Sequence, residues 1–324
     1  GDAVAAEKAK KISLGFGGSM AMIIGVANQE SAFEKAAVSD VAGTTNYDTF
    51  NIWSNTEVEV KGSVKLDNGI TVSVEVEFEG DQFTANGTGD DVGIDNSFMR
   101  LSGSFGDIRL GSTAPITAVL AQTGPWTGAI TPGVEDALWI MKPAAVSYGN
   151  AVGKGGITNG ADDTEKIQYI SPQFAGVRFG VYYTPTTSSA SWDGMPRVGG
   201  TSGTESQEFG ASFNYENKFD AVSVKASIGQ WRRRGAAADS TNSTHFGARI
   251  GFGDITIGGS FLNVGNEDSG LEGTANSDEN EVYDIGILFK PKGYSVGLHY
   301  MHGEKPMSNA TAGDDAKSIL SLGA

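Results

Sequence analysis

The sequence predicts an all-β chain, a single domain over residues 1–324, whose antiparallel strands close into a barrel that crosses a membrane. Three observations carry that prediction. Apolar and polar residues alternate along strand-length stretches. The polar faces so defined hold Gly, Ser and charges of both signs. The connections between strands switch regularly between very short and very long.

A strand sends successive side chains to opposite faces, so period-two alternation places one face in an apolar setting and the other in water. Between Glu57 and Leu66, the residues Val58, Val60, Val64 and Leu66 alternate with Glu57, Glu59, Lys61, Ser63 and Lys65. Asp67-Asn68-Gly69 then supplies a tight turn, because Asn and Gly tolerate positive φ. The chain returns with Val72, Val74, Val76 and Phe78 set against Thr71, Ser73, Glu75 and Glu77. The same pattern recurs over 166–169, 177–183, 208–215, 222–228, 245–250, 283–289 and 294–301.

A β-sandwich also alternates, with one face in its core. The mixed polar faces argue instead for a water-filled lumen. Loop lengths argue the same way. Asp67-Asn68-Gly69, Phe105-Gly106-Asp107, Asn217-Lys218, Gly251-Phe252-Gly253-Asp254 and Pro291-Lys292-Gly293 are short turns. The segments 27–49, 79–95, 113–142, 150–163, 184–205, 232–243, 266–279 and 303–316 are long and hydrophilic. A sandwich has no reason to sort loop lengths by end, whereas an outer-membrane barrel keeps its turns in the periplasm and its loops outside. The reading counts about fourteen strands through Met301, with 317–324 opening a fifteenth. Single-chain bacterial barrels close with an even number of strands. The expectation is therefore sixteen, the last lying beyond the given sequence, with closure at fourteen as the alternative.

Composition excludes several functions. There is no Cys, which removes thiolate metal sites, disulfides and a cysteine nucleophile. A net charge of -16 disfavours nucleic acid as a partner, which needs clustered positive charge. An acidic mouth or interior concentrates cations instead. No stretch reaches the ~20 apolar residues of a membrane-spanning helix. Residue 1 opens no signal peptide, as expected of a cleaved exported protein.

Other segments offer weaker candidates. Trp231-Arg232-Arg233-Arg234 ends a strand on the external side, and Arg pairs bidentately with phosphate, so Arg232, Arg233 and Arg234 are candidates for lipopolysaccharide contact. A solvated strand end beside a belt Trp is the equal alternative. The loop at 266–281 carries Glu267, Asp268, Glu272, Asp278, Glu279 and Glu281. Oxygen ligands suit Ca²⁺ as a structural ion, with Glu267, Asp268, Asp278 and Glu279 as candidates. Their spacing matches no EF-hand, so a solvated acidic loop is the stronger reading. His245, His299 and His302 are too dispersed to mark a metal cluster or triad. Gly15-Phe16-Gly17-Gly18 lacks the Lys-Ser/Thr of a phosphate loop. No cofactor and no catalytic residues are expected.

Three segments carry a family resemblance: Leu66-Asp67-Asn68-Gly69-Ile70, Ser102 through Gly111 (SGSFGDIRLG), and Tyr169 through Phe179 (YISPQFAGVRF). In content, order and spacing they resemble the hairpin signatures of Gram-negative general diffusion porins, in the style of the alphaproteobacterial branch. The resemblance runs from Ile12 onward. It implies a homotrimer in the outer membrane that passes small polar solutes, with the third external loop folded into the barrel. That loop would be 113–142, which is unusually apolar for a free loop, with Ile116, Leu120, Trp126, Ile130, Leu138 and Trp139. By the same resemblance, its acids Glu135 and Asp136 would face basic wall residues across a constriction. The lumen-facing register offers Lys61, Lys65, Lys166, Arg178, Lys225 and Arg249. Arg100 fits the lumen and the periplasmic rim equally. The family ends in an aromatic residue and this chain does not, which fits a missing last strand. Net charge points to a cation preference. A substrate-specific outer-membrane channel, a secreted or surface β-protein with an adhesive role, and an outer-membrane enzyme are the rival functions.

Overall fold

The computed structural model describes residues 11–26, 50–80, 93–127, 161–162, 164–187, 207–234, 240–266, 280–306 and 314–324. They form one sheet of fourteen strands. In order these are β1 (Ser13–Val26), β2 (Phe50–Lys65), β3 (Thr71–Glu79), β4 (Ile94–Gly103), β5 (Gly106–Ser112), β6 (Glu165–Ile170), β7 (Val177–Thr184) and β8 (Gln207–Phe219). Then come β9 (Val222–Arg234), β10 (Ser240–Phe252), β11 (Ile255–Asn266), β12 (Asn280–Phe289), β13 (Val296–Pro306) and β14 (Asp314–Gly323). Each strand pairs antiparallel with its sequence neighbours, the up-and-down meander of a barrel wall. One helical turn, α1 (Ile116–Val119), follows β5. No described helix is long and apolar enough to cross a membrane, which says nothing of a β-barrel.

The register fixes the faces, and they are inverted relative to a water-soluble protein. Phe16, Phe209, Phe213, Ile250 and Ile285 stand on the outer face at 81%, 55%, 54%, 57% and 56% exposure. Glu208, Ser212, Asn214, His245 and His299 lie on the inner face at 2% or less. Apolar area on this scale is not stable against water, at about 25 cal/mol per Å². Hydrocarbon is the solvent that matches it. In the β2–β3 hairpin the expected pairs form, Val58 with Phe78, Val60 with Val76 and Val64 with Val72, and the turn closes with Gly69 at φ 83° and Asn68 Oδ1 accepting from the Ile70 N–H at 3.1 Å.

Three details differ from the sequence reading. β5 pairs directly with β6, Asp107 opposite Ile170 through Ser112 opposite Glu165, so no strand intervenes in the sheet between the expected loops 113–142 and 150–163. Residues 113–164 are one connection, which restores strict alternation of turns and loops. Among the described residues thirteen strands run up to Pro306 and β14 follows them, where the sequence reading counted about fourteen and the start of a fifteenth. The β8–β9 turn lies at Asp220-Ala221 instead of Asn217-Lys218. Asp220 takes φ 53°, which Asp adopts with little strain, so the ladder runs three residues further, to Phe219 opposite Val222.

Candidate functional site: the inner wall and the segment that lies on it

After β5 the chain turns inward and follows the inner wall. Gln168 of β6 donates to the Ala114 carbonyl at 3.0 Å, and Ile116 and Leu120 pack on Ile170, Tyr182 and Trp231. Asn214 of β8 then donates to the Leu120 carbonyl at 3.0 Å, and the Gln122 N–H donates to Ser227 of β9 at 2.7 Å. His245 of β10 meets the Gln122 carbonyl at 3.1 Å. Arg249, also on β10, holds the Thr123 carbonyl at 2.5 Å and reaches Thr123 Oγ1 and the Gly124 carbonyl. The Gly124 N–H donates to Asp284 of β12 at 2.7 Å. Trp126 stands edge-on to His299 of β13, and Thr127 bonds Ser295. Within fourteen residues, 114–127, the segment touches strands from β6 round to β14. Such a path requires a concave wall.

The wall is cut to admit it. A Cβ on Gly247 would fall on the Gln122 carbonyl, one on Gly286 would meet the Pro125 carbonyl, and one on Gly180 would strike the Ile116 side chain. Gly297 and Gly323 make the same room for Thr127. The backbone of the segment lies nearly on that of the strands, and only glycine leaves space for it.

Two buried clusters fasten its surroundings. Asp284 accepts from Gly124, from Ser260 and from His299 Nε2 at 2.7 Å. Glu208, 1% exposed, accepts from the Ala161 N–H at 2.6 Å, Tyr182 Oη at 2.5 Å and Arg233 Nη2 at 2.7 Å. The buried charge is thereby paired and its lone pairs satisfied. These clusters came together from residues far apart in the chain, and neither was legible beforehand.

Opposite the covered arc, β2–β5 keep a charged inner face open, with Lys61 49% and Arg100 41% exposed. Lys61 pairs with Glu59 at 2.7 Å and Glu75 at 3.5 Å. Arg100, opposite Ser73 on the inner face near the short β4–β5 turn, makes a two-pronged bond to Asp107, from Nε at 2.9 Å and Nη2 at 2.8 Å. Arg109, not singled out in the sequence, faces Arg100 across the ladder and lies over the Phe98 ring at 5.8 Å.

The basic residues named from the sequence lie on the inner-face register, in two groups. Lys61, Lys65, Arg178, Lys225 and Arg249 point into the lumen, Arg178 and Lys225 flanking Glu216 at 3.8 and 3.3 Å. Lys166 is 4% exposed and spends its ammonium on the carbonyls of Thr113 and Thr164, tying the start of the long connection to its end. The arginine run divides by face: Arg233 points inward to Glu208, while Arg232 and Arg234 fall on the outward register. Glu135 and Asp136, and the acids Glu267, Asp268, Glu272, Asp278 and Glu279, lie outside the described residues. Among the described residues no group of three or more acids or histidines is placed to hold a metal ion.

Comparison with known proteins agrees with this geometry. The chain is similar in structure to the anion-selective porin of Comamonas acidovorans, with TM-score 0.62 and 19% identity over 96% of this chain and 84% of that one. It is also similar to OmpT of Vibrio cholerae, at TM-score 0.58 and 10% identity over 98% and 82% of the two chains. A third is OmpF of Salmonella typhi, solved in complex with daunomycin, at TM-score 0.55 and 13% identity over 94% and 82%. A search of curated proteins finds no match. At these identities the structures speak for the fold alone. The family model for Gram-negative porins matches residues 2–324, nearly the whole chain. The chain belongs to the Gram-negative porin family and is accordingly an outer-membrane channel protein, not an enzyme.

Proposed function

We propose that the protein is a passive diffusion channel for small hydrophilic solutes and ions, with a mild preference for cations. The supporting observation is the pairing of an apolar outer face with a charged inner face, across which segment 114–127 is fastened on one side only. Solutes pass between the continuation of that segment, with Glu135 and Asp136, and the open wall of β2–β5, with Lys61, Arg100 and Arg109. Fixed charges of both signs along the wall keep water and polar solutes inside without a deep binding well, which conduction requires. The described wall is nearly balanced in sign, so the acidic loops tip the preference, in line with the net charge of -16.

The assembly is proposed to be a homotrimer whose outward apolar residues meet lipid or a neighbouring subunit. Arg232 and Arg234, on the outward register at the external end of β9, stand where lipopolysaccharide phosphates would lie. The test is single-channel recording in planar bilayers with a salt gradient. Ohmic openings with a reversal potential on the cation side support the reading. Purified, folded trimer that never conducts overturns it.

A further inference from the structure

We infer that the open wall is an axial charge junction, acidic toward the outside and basic toward the periplasm, which makes the channel pass more current in one direction than the other. This rests on the channel reading above. On the inner face of β2 and β3, cross-strand partners from the external end downward are Glu57–Glu79, Glu59–Glu77 and Lys61–Glu75, followed by Ser63–Ser73 and Lys65–Thr71. Two carboxylate pairs are thus set directly opposite each other, an arrangement that destabilises a sheet. Glu77 is 8% exposed and accepts from Asn96, a neutral amide, at 2.5 Å. Lower on the same wall, Ser73 is opposite Arg100, and Arg100 is opposite Arg109. That is a third like-charge pair, of the other sign, with Asp107 the carboxylate bonded to Arg100, and the Arg109 Nε is buried without a hydrogen-bond partner.

The far wall repeats the lower sign. Arg178, Lys225 and Arg249 sit near the short turns; Arg178 and Lys225 share the carboxylate of Glu216, while the segment gives Arg249 neutral carbonyl and hydroxyl oxygens, with Asp284 the nearby carboxylate. Higher on that wall, Glu208 and Arg233 cancel. The pore therefore meets an incoming ion with carboxylates first and guanidinium and ammonium groups second. From Glu77 down to Ser73 is four residues, ~13 Å at ~3.3 Å per residue. The Debye length is ~10 Å at 0.1 M salt and ~3 Å at 1 M. At low salt the two zones are thus separate, each enriched in its own counterion.

When the external side is positive, cations enter through the acidic zone and anions through the basic zone. Both accumulate at the junction, and current is high. Reversal drains both and current falls. The like-charge pairs of the two signs cost the sheet stability and give the channel its direction.

The experiment records current against voltage for single channels of known orientation. The chain has no cysteine, so Asp254→Cys in the exposed β10–β11 turn gives one thiol that marks the periplasmic side by its access to a bulky maleimide. With the external side positive, current at 100 mV should exceed that at the opposite voltage by about 1.5-fold or more in 0.1 M KCl, and the ratio should fall to about 1 in 1 M KCl. Glu59→Gln with Glu77→Gln should abolish the ratio and move the reversal potential toward anions. Arg109→Gln, or Lys65→Gln at an exposed site, should lower the ratio and move the reversal potential toward cations. A conducting channel with symmetric current at 0.1 M, the opposite polarity, or acid and base variants that shift selectivity the same way overturns the inference while leaving the channel reading intact. Absence of conductance overturns the channel reading itself.

Discussion

Asp284 is the single residue on which most of the inner wall converges. Its carboxylate accepts from the Gly124 N–H, the Ser260 hydroxyl and His299, and replacing it with Ala would leave three donors unpaired away from bulk water. An unmet buried donor costs about 1–3 kcal/mol. Asp284→Ala should therefore lower the temperature at which the folded band is lost on heating in detergent and add noise to the open-channel current, while Asp284→Asn recovers part of both. Gly247 makes a second test of the same fastening. A methyl there lands on the Gln122 carbonyl, so Gly247→Ala must push the segment off the wall toward the lumen and reduce single-channel conductance. Gly15→Ala, whose methyl would meet only the Lys61 carbonyl at 4.0 Å, should change neither. In the sequence these glycines read simply as small strand residues, and the histidines as scattered. Their roles depend on a contact between residue 122 and residue 247, or 124 and 284, which no local pattern encodes.

At the scale of the strand, the register was written in the sequence because the period of the pleat is two. Val58, Val60 and Val64 on one face and Glu57, Glu59 and Lys61 on the other leave one pairing that keeps lipid and water apart, and a one-residue slip would reverse every side chain. Val74, 50% exposed on the outer face in the middle of β3, tests that register. Val74→Arg should impair assembly by roughly 2–4 kcal/mol if the site lies at the bilayer midplane, read as loss of folded protein in membranes; unchanged yield would contradict the assigned face. What alternation could not supply was the position of breaks. The β8–β9 turn slid to Asp220 because the residues at 217–219 pair as readily as they turn, and Asn217 caps the Lys218 N–H at 2.8 Å within the strand.

For the whole molecule, the formal charge of -16 is a poor guide to what an ion meets, because the described wall carries nearly as many cations as carboxylates. Much of the remaining acid sits in the long connections. In the proposed channel, selectivity is set by a few groups at the constriction, and there the balance is open to direct test. Glu135 and Asp136 are the acids of the long connection's first half that oppose the open wall in the proposed arrangement. Glu135→Gln with Asp136→Asn would leave Lys61, Arg100 and Arg109 without that opposing charge. The expected result is a reversal potential displaced toward anions by an amount that shrinks as salt rises from 0.1 M to 1 M, since screening shortens from ~10 Å to ~3 Å. The same substitutions placed at Glu267 and Asp268, in an external loop, should change the rate of ion entry at low salt and leave the reversal potential nearly where it was. If the two pairs of variants behave alike, Glu135 and Asp136 do not form the constriction proposed for them.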